Sequence, residues 1–102
     1  MYIIIYDFGT SNVKTCLFEI ENGIELVASS AAAYGLYISD DGGAEQDTDE
    51  WWTALCQTTK DLFKKSDVKP EEIEGLAFCS QMQGAVFVDE EVNAVRRPIA
   101  FA

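Results

Sequence analysis

The sequence contains no histidine. That single absence removes Ser-His triads, Cys-His dyads and most zinc-site types. Bases are scarce as well: 7 Lys and Arg stand against 18 Asp and Glu, for a net charge of −11. A surface so acidic repels phosphodiester backbones and anionic lipid headgroups, so neither nucleic acid nor a membrane is an expected partner. Any phosphate compound would have to be held locally, by backbone amides, a metal ion or a few placed cations. Cysteine is limited to Cys16, Cys56 and Cys79, widely spaced, each inside an apolar run and without a CxxC pair. These read as reduced core residues of a cytoplasmic protein. The apolar start, Met1–Tyr6, has no basic region before it and is interrupted at Asp7, which suits neither a signal peptide nor a membrane span. Two prolines and seven glycines are too few for a collagenous or low-complexity chain.

What is present is an ordinary globular composition, 48% hydrophobic over 102 residues, which predicts one domain spanning 1–102. The β-branched run Met1–Tyr6 reads as a buried strand. Val13–Ile20 alternates loosely, Glu21-Asn22-Gly23 has the chemistry of a hairpin turn, and Ile24–Ala33 continues as a third strand. Tyr34 to Gln46 reads as loop. Asp47 then offers an N-cap, with Glu50 three residues on to complete a capping box. Trp52, Leu55, Cys56, Thr59, Leu62 and Phe63 recur at helical spacing up to Ser66-Asp67, and Lys64 and Lys65 complement the helix C-terminus. Pro70-Glu71-Glu72 suits a single turn, and Ile73–Cys79 a fourth strand. A final hairpin-like pair is expected from Ala85–Asp89, a turn near Glu90–Asn93, and Ile99–Phe101. Three antiparallel strands, a crossover helix, and a strand parallel to the first give an α/β, ribonuclease-H-like arrangement with a terminal β-ribbon. One helix covers one sheet face only, so the arrangement is expected to be incomplete.

Four stretches could carry chemistry. Asp7-Phe-Gly-Thr-Ser-Asn-Val-Lys14 places an acid at a strand end, ahead of a glycine, two hydroxyls and a cation. Gly9 admits close approach of backbone N–H groups to an anion, Thr10 and Ser11 add hydroxyls, and Lys14 a charge. Asp7 would hold Mg²⁺ directly or through water. The plainer alternative is a hairpin whose Asp and Asn stabilise a turn. Glu45-Gln46-Asp47 precedes Trp51-Trp52, and two adjacent tryptophans cannot share a helix face; Trp51 is expected at an edge, where it could stack on a ligand or cap the core. Ser80-Gln81-Met82-Gln83-Gly84 follows the fourth strand, where open α/β sheets bind ligands, and its amides suit polyhydroxylated ones; a polar connector is the plainer reading. Arg96-Arg97 is expected to neutralise Asp89, Glu90 and Glu91 across a turn.

In order and spacing, YDFGTSNVK (Tyr6–Lys14), EQDTDEWW (Glu45–Trp52), IEGLAFCSQMQG (Ile73–Gly84) and the Val95–Pro98 stretch resemble the amino-terminal part of the FGGY carbohydrate kinases, and within them the xylulose-kinase-like branch. The resemblance implies the fold of actin, Hsp70 and hexokinase, two ribonuclease-H-like lobes with ATP and sugar in the cleft between them. It implies a phosphate turn of Gly9, Thr10, Ser11, Asn12 and Lys14, with Asp7 organising Mg²⁺. It further implies that Gln81, Met82 and Gln83 contact the sugar, a ketose such as xylulose. The implied partners are ATP and a small-molecule sugar, with neither nucleic acid nor membrane, and a homodimer of the complete enzyme stays open. The sequence departs from the resemblance at Gln83, where histidine is common, and at Ala102, which stands where tryptophan is usual. The implied catalytic base, second phosphate motif and adenosine pocket lie beyond residue 102, so this segment alone is expected to be inactive. Three rivals remain: a regulatory ATPase of the actin/Hsp70 type, a non-catalytic interaction module, and a ribonuclease-H-type nuclease.

Overall fold

The computed structural model describes residues 1–81 and 84–99. Strands β1 (Tyr2–Phe8), β2 (Asn12–Ile20) and β3 (Ile24–Ala33) form an antiparallel meander. The short strands β4 (Tyr37–Ile38) and β5 (Ala44–Glu45) pair with each other, so the stretch read as loop carries a small hairpin. Helix α1 (Thr48–Lys65) follows, then a 3₁₀ turn at Pro70–Glu72 and strand β6 (Ile73–Ser80), which lies parallel to β1. The sheet order is β3-β2-β1-β6, the ribonuclease-H-like arrangement. The β2–β3 turn depends on Gly23, whose φ of +145° lies in a region closed to residues with a Cβ.

The core is the seam between α1 and the sheet. Ile4 and Tyr6 of β1, Val13 and Leu17 of β2, and Ala54 and Leu62 of α1 are buried there with Tyr34 and Val68. Small residues Ala54 and Thr58 let the helix approach closely, and buried hydroxyls fix its rotation. Thr15 and Thr58 hydroxyls are 2.8 Å apart, and the Tyr6 hydroxyl meets that of Thr59 at 2.7 Å. A buried hydroxyl requires such a partner, which makes this one rotation preferred over its neighbours.

That rotation corrects two expectations. The buried stripe is Ala54, Thr58 and Leu62, and Trp52, expected on it, is 66% exposed. Trp51 packs against the core instead, edge-on to Tyr34 with ring centroids 6.4 Å apart. Asp47 does cap the helix, its carboxylate accepting from the Asp49 N–H at 2.9 Å. Glu50 does not complete a capping box, because its carboxylate accepts from the Gly35 N–H (2.9 Å) and the Tyr37 hydroxyl (2.5 Å).

Because α1 lies over β2 and β3, β6 stays open. Leu76 and Phe78 align with Ile4 and Tyr6 on the helix side of the sheet yet are 57% and 59% exposed. Cys79, next along β6, points to the opposite sheet face, which α1 does not cover, and is exposed against the expectation of a core position, while Cys16 and Cys56 are partly buried; all three are free thiols. Beyond β6 the ribbon is reduced to single bridges. Val88 pairs with Ala94 across a turn held by the Asp89 carboxylate, and Ile99 pairs with Glu45 of β5, not with the 85–89 stretch. The remainder of the Ile99–Phe101 expectation, and Ala102, lie outside the described residues. Among the described residues no helix is long and apolar enough to cross a membrane.

Candidate functional site

The β1–β2 turn is held from the inside through its carbonyl oxygens. The Gly9 N–H donates to the Asn12 carbonyl at 2.9 Å and the Tyr34 N–H to that of Ser11 at 3.1 Å. The Tyr34 hydroxyl donates to the carbonyls of both Gly9 and Asn12, the latter at 2.8 Å. The side-chain amide of Gln46 donates to the Thr10 carbonyl. All four carbonyls from Gly9 to Asn12 are therefore occupied. Among the described residues the N–H groups of Thr10 and Ser11 have no protein acceptor, which leaves them available to an anion. Burial, with a smaller contribution from the Asp7 carboxylate, pushes the Tyr34 phenol up to about 12, so it remains a donor at any physiological pH. Gly9 has neither a positive φ nor a clash awaiting a Cβ, whose nearest neighbour would be the Asn12 oxygen at 3.4 Å. The turn itself does not demand glycine there; only close approach by a ligand would.

Asp7 lies near the end of β1, directly opposite Lys14 on β2 and Cys79 on β6. Both charged side chains are exposed and form no close ion pair with each other. Among the described residues no cluster of three acidic or thiol groups could cage a metal ion. A lone exposed carboxylate beside a turn with two N–H groups lacking an acceptor among the described residues fits Mg²⁺ that arrives on a phosphate compound, since that ion keeps several waters and needs only one or two carboxylates.

The loop after β6 joins this turn through Gln46. Its side chain is 1% exposed, and its Oε1 accepts from the Gln81 side-chain amide at 2.6 Å. The Gln81 N–H donates to the Phe8 carbonyl at 2.7 Å, carrying the β1 ladder one residue past β6. Beside these amides lies a cleft of about 420 Å³ with mainly apolar walls, including Phe8, Trp51, Trp52, Leu55 and Ile99. Both tryptophans thus reach it, the edge position expected for Trp51 being shared with the more exposed Trp52. Met82 and Gln83, expected to contact a sugar, lie outside the described residues. Arg96 and Arg97 depart from expectation. Arg96 pairs with Glu45 at 2.8 Å, and the Arg97 guanidinium sits 4.2 Å over the Tyr37 ring. They brace the β4–β5 hairpin and leave Asp89, Glu90 and Glu91 unneutralised. The Tyr37 hydroxyl, then the Gly35 amide, hold the Glu50 carboxyl below its ordinary value.

Tyr34 is not among the expected site residues, and Gln46, though inside the Glu45–Asp47 stretch that could carry chemistry, has no role of its own there. A further signal at Gln46 is that it directly precedes an N-cap, where an apolar residue commonly packs. Tyr34 had none beyond its place at a strand end.

Residues 2–102 match the N-terminal domain of the FGGY family of carbohydrate kinases. The chain is 32% identical over 98 residues to the xylulose kinase of Bacillus subtilis, covering 96% of this chain and 19% of that protein. It is 28% identical over 98 residues to the glycerol kinase of Oceanobacillus iheyensis, with the same two coverages. Its fold superposes on the ligand-bound xylulose kinase of Lactobacillus acidophilus with a TM-score of 0.82 and 30% identity, covering 96% of this chain and 19% of that one. The chain thus spans about a fifth of the length of the curated relatives it matches.

Proposed function

Since the chain belongs to the FGGY family of carbohydrate kinases, we propose that it forms the N-terminal part of the first lobe of an ATP-dependent kinase. That enzyme transfers the γ-phosphoryl group to a hydroxyl of a small polyol, a ketose such as xylulose being favoured by the 32% identity to a xylulose kinase. The similarity to a glycerol kinase keeps the acceptor class wider than ketoses. The observation that carries the reading is the Gly9–Asn12 turn, whose carbonyls are all engaged from within while two of its N–H groups have no acceptor among the described residues.

In this reading the turn receives the phosphates without rearranging, because Tyr34 and Gln46 have already fixed its backbone. Preorganised donors of this kind stabilise charge that develops during transfer. Thr10 and Ser11 contribute hydroxyls, Asn12 its amide, and Lys14 a cation next to the turn. Asp7 would hold Mg²⁺, which when bound neutralises phosphate charge. These local donors make an overall charge of −11 compatible with a nucleotide ligand. Gln81, with Met82 and Gln83, would meet the acceptor's hydroxyls. The base that deprotonates the acceptor would come from outside this segment, so residues 1–102 alone should show no turnover. The test is acceptor-dependent ATP consumption by the complete protein across pentuloses, pentitols, hexoses and glycerol. Turnover with at least one is expected, and none with any of them would overturn the reading.

A further inference from the structure

We propose that Gln46 is a positioning residue that fixes the phosphate turn and the loop after β6 relative to each other, so that the two substrates of the kinase reading above meet in register. Three segments converge on it. Its Nε2 donates to the Thr10 carbonyl in the β1–β2 turn, and its Oε1 accepts from Gln81 Nε2 at 2.6 Å in the loop after β6. The backbone is tethered too, the Gln46 N–H donating to the Pro98 carbonyl at 3.1 Å. Chemistry fixes the orientation of the amide. A carbonyl only accepts, so nitrogen must face Thr10, and the remaining oxygen then requires the donor that Gln81 supplies. At 1% exposure water cannot substitute for either partner.

No other natural side chain of this length is both donor and acceptor without charge. Methionine would fill the volume and supply neither bond. Glutamate would keep the acceptor for Gln81 and place a carboxylate against the Thr10 carbonyl, separating the two bonds. Gln46 itself follows β5 and directly precedes the N-cap of α1, so both segments are referenced to the helix and sheet.

This inference rests on the kinase reading, and the experiment separates the two. In the complete enzyme, kcat, both KM values and the melting temperature are measured for wild type, Gln46→Met, Gln81→Leu and the double variant. Gln81→Leu should raise the acceptor KM about tenfold with the MgATP KM within twofold of wild type. Gln46→Met should raise both KM values at least fivefold and lower kcat at least tenfold. The double variant should have an acceptor KM below the product of the two single effects, since both changes remove one shared bond while Gln81→Leu also removes the acceptor contact assigned to Gln81. Gln46→Glu should raise the MgATP KM at least fivefold and leave the acceptor KM within twofold, and it serves also if Gln46→Met does not fold. A purely structural role would lower the melting temperature with both KM values unchanged, and that result, or additive acceptor KM effects in the double variant, would overturn the positioning role while leaving the kinase reading intact. A wild-type enzyme with no acceptor-dependent turnover would overturn both.

Discussion

Tyr34 shares its single hydroxyl proton between the carbonyl oxygens of Gly9 and Asn12, the two ends of the β1–β2 turn, from a position at the end of β3. One side chain thereby spans the turn from behind and keeps its outer side free for a ligand. The hydroxyl is the only part of Tyr34 that a phenylalanine lacks, so Tyr34→Phe isolates the tie. That variant should lose about 0.5–1.5 kcal/mol of stability by chemical denaturation, the usual net contribution of one hydrogen bond, since the Asn12 carbonyl keeps the Gly9 N–H. In the complete enzyme it should also raise the KM for MgATP.

A pH dependence accompanies it. The folded protein holds the Tyr34 phenol at about 12, above the ordinary 10.0, so folding favours the protonated form. Its contribution to stability is fully present below pH 10 and is lost as pH rises from there through about 12. Denaturation midpoints measured across pH 9–12 should fall more steeply for wild type than for Tyr34→Phe.

Asp7 is exposed, opposite Lys14, and supports no buried contact. Asp7→Ala should therefore change stability by no more than about 0.5 kcal/mol. If it organises Mg²⁺ at the phosphates, kcat of the complete enzyme should fall by about 10²-fold or more, a typical loss for one preorganised electrostatic group. Near-wild-type turnover in this variant would remove Asp7 from the site.

The buried hydroxyl pair Thr15–Thr58 links β2 to α1 at 2.8 Å. Thr15→Val strands a partner that retains its bond to the Ala54 carbonyl, at 2.9 Å, so its cost should be the smaller. Thr58→Val leaves the Thr15 hydroxyl buried without a partner and should cost about 1–3 kcal/mol. The double variant should cost less than the sum of the two, and an additive result in thermal unfolding would show the pair to be uncoupled.

The rotation of α1 predicts opposite outcomes for two large apolar residues ten positions apart. Leu62 is fully buried, so Leu62→Ala should destabilise by about 2–5 kcal/mol. Trp52, mostly exposed at the cleft, should tolerate Trp52→Ala within about 0.5 kcal/mol. Equal losses in thermal unfolding would mean that the helix presents the other face.

The comparison of Trp51 with Trp52 shows where local pattern stops being informative. Helical spacing places one of two adjacent tryptophans inward but cannot say which. The choice came from Ala54 and Thr58, whose small size lets the helix approach and whose burial leaves Trp52 outside. Glu50 and the Arg96-Arg97 pair follow the same logic. Capping and cross-turn charge pairing are the nearest local options, yet Glu50 bonds Gly35 and Tyr37, and Arg96 reaches Glu45 across 51 positions. Polar side chains take whichever partner the fold brings near, and exposed ones pay little to leave a sequence neighbour.

By itself the sequence determined β1, β2, β3, β6, the helix and its Asp47 cap, and the acid-glycine-hydroxyl turn, because each depends on residues within a few positions of one another. An apolar run, an N-cap and a tight turn are short-range devices and are written where they act. Tertiary structure alone decided that Gln46 would be buried between Thr10 and Gln81, 36 and 35 positions away, and that Tyr34 would reach back to Gly9 and Asn12. A hydrogen bond of that span has no local signature. It exists only once the sheet order and the helix rotation have brought its two ends within 3 Å.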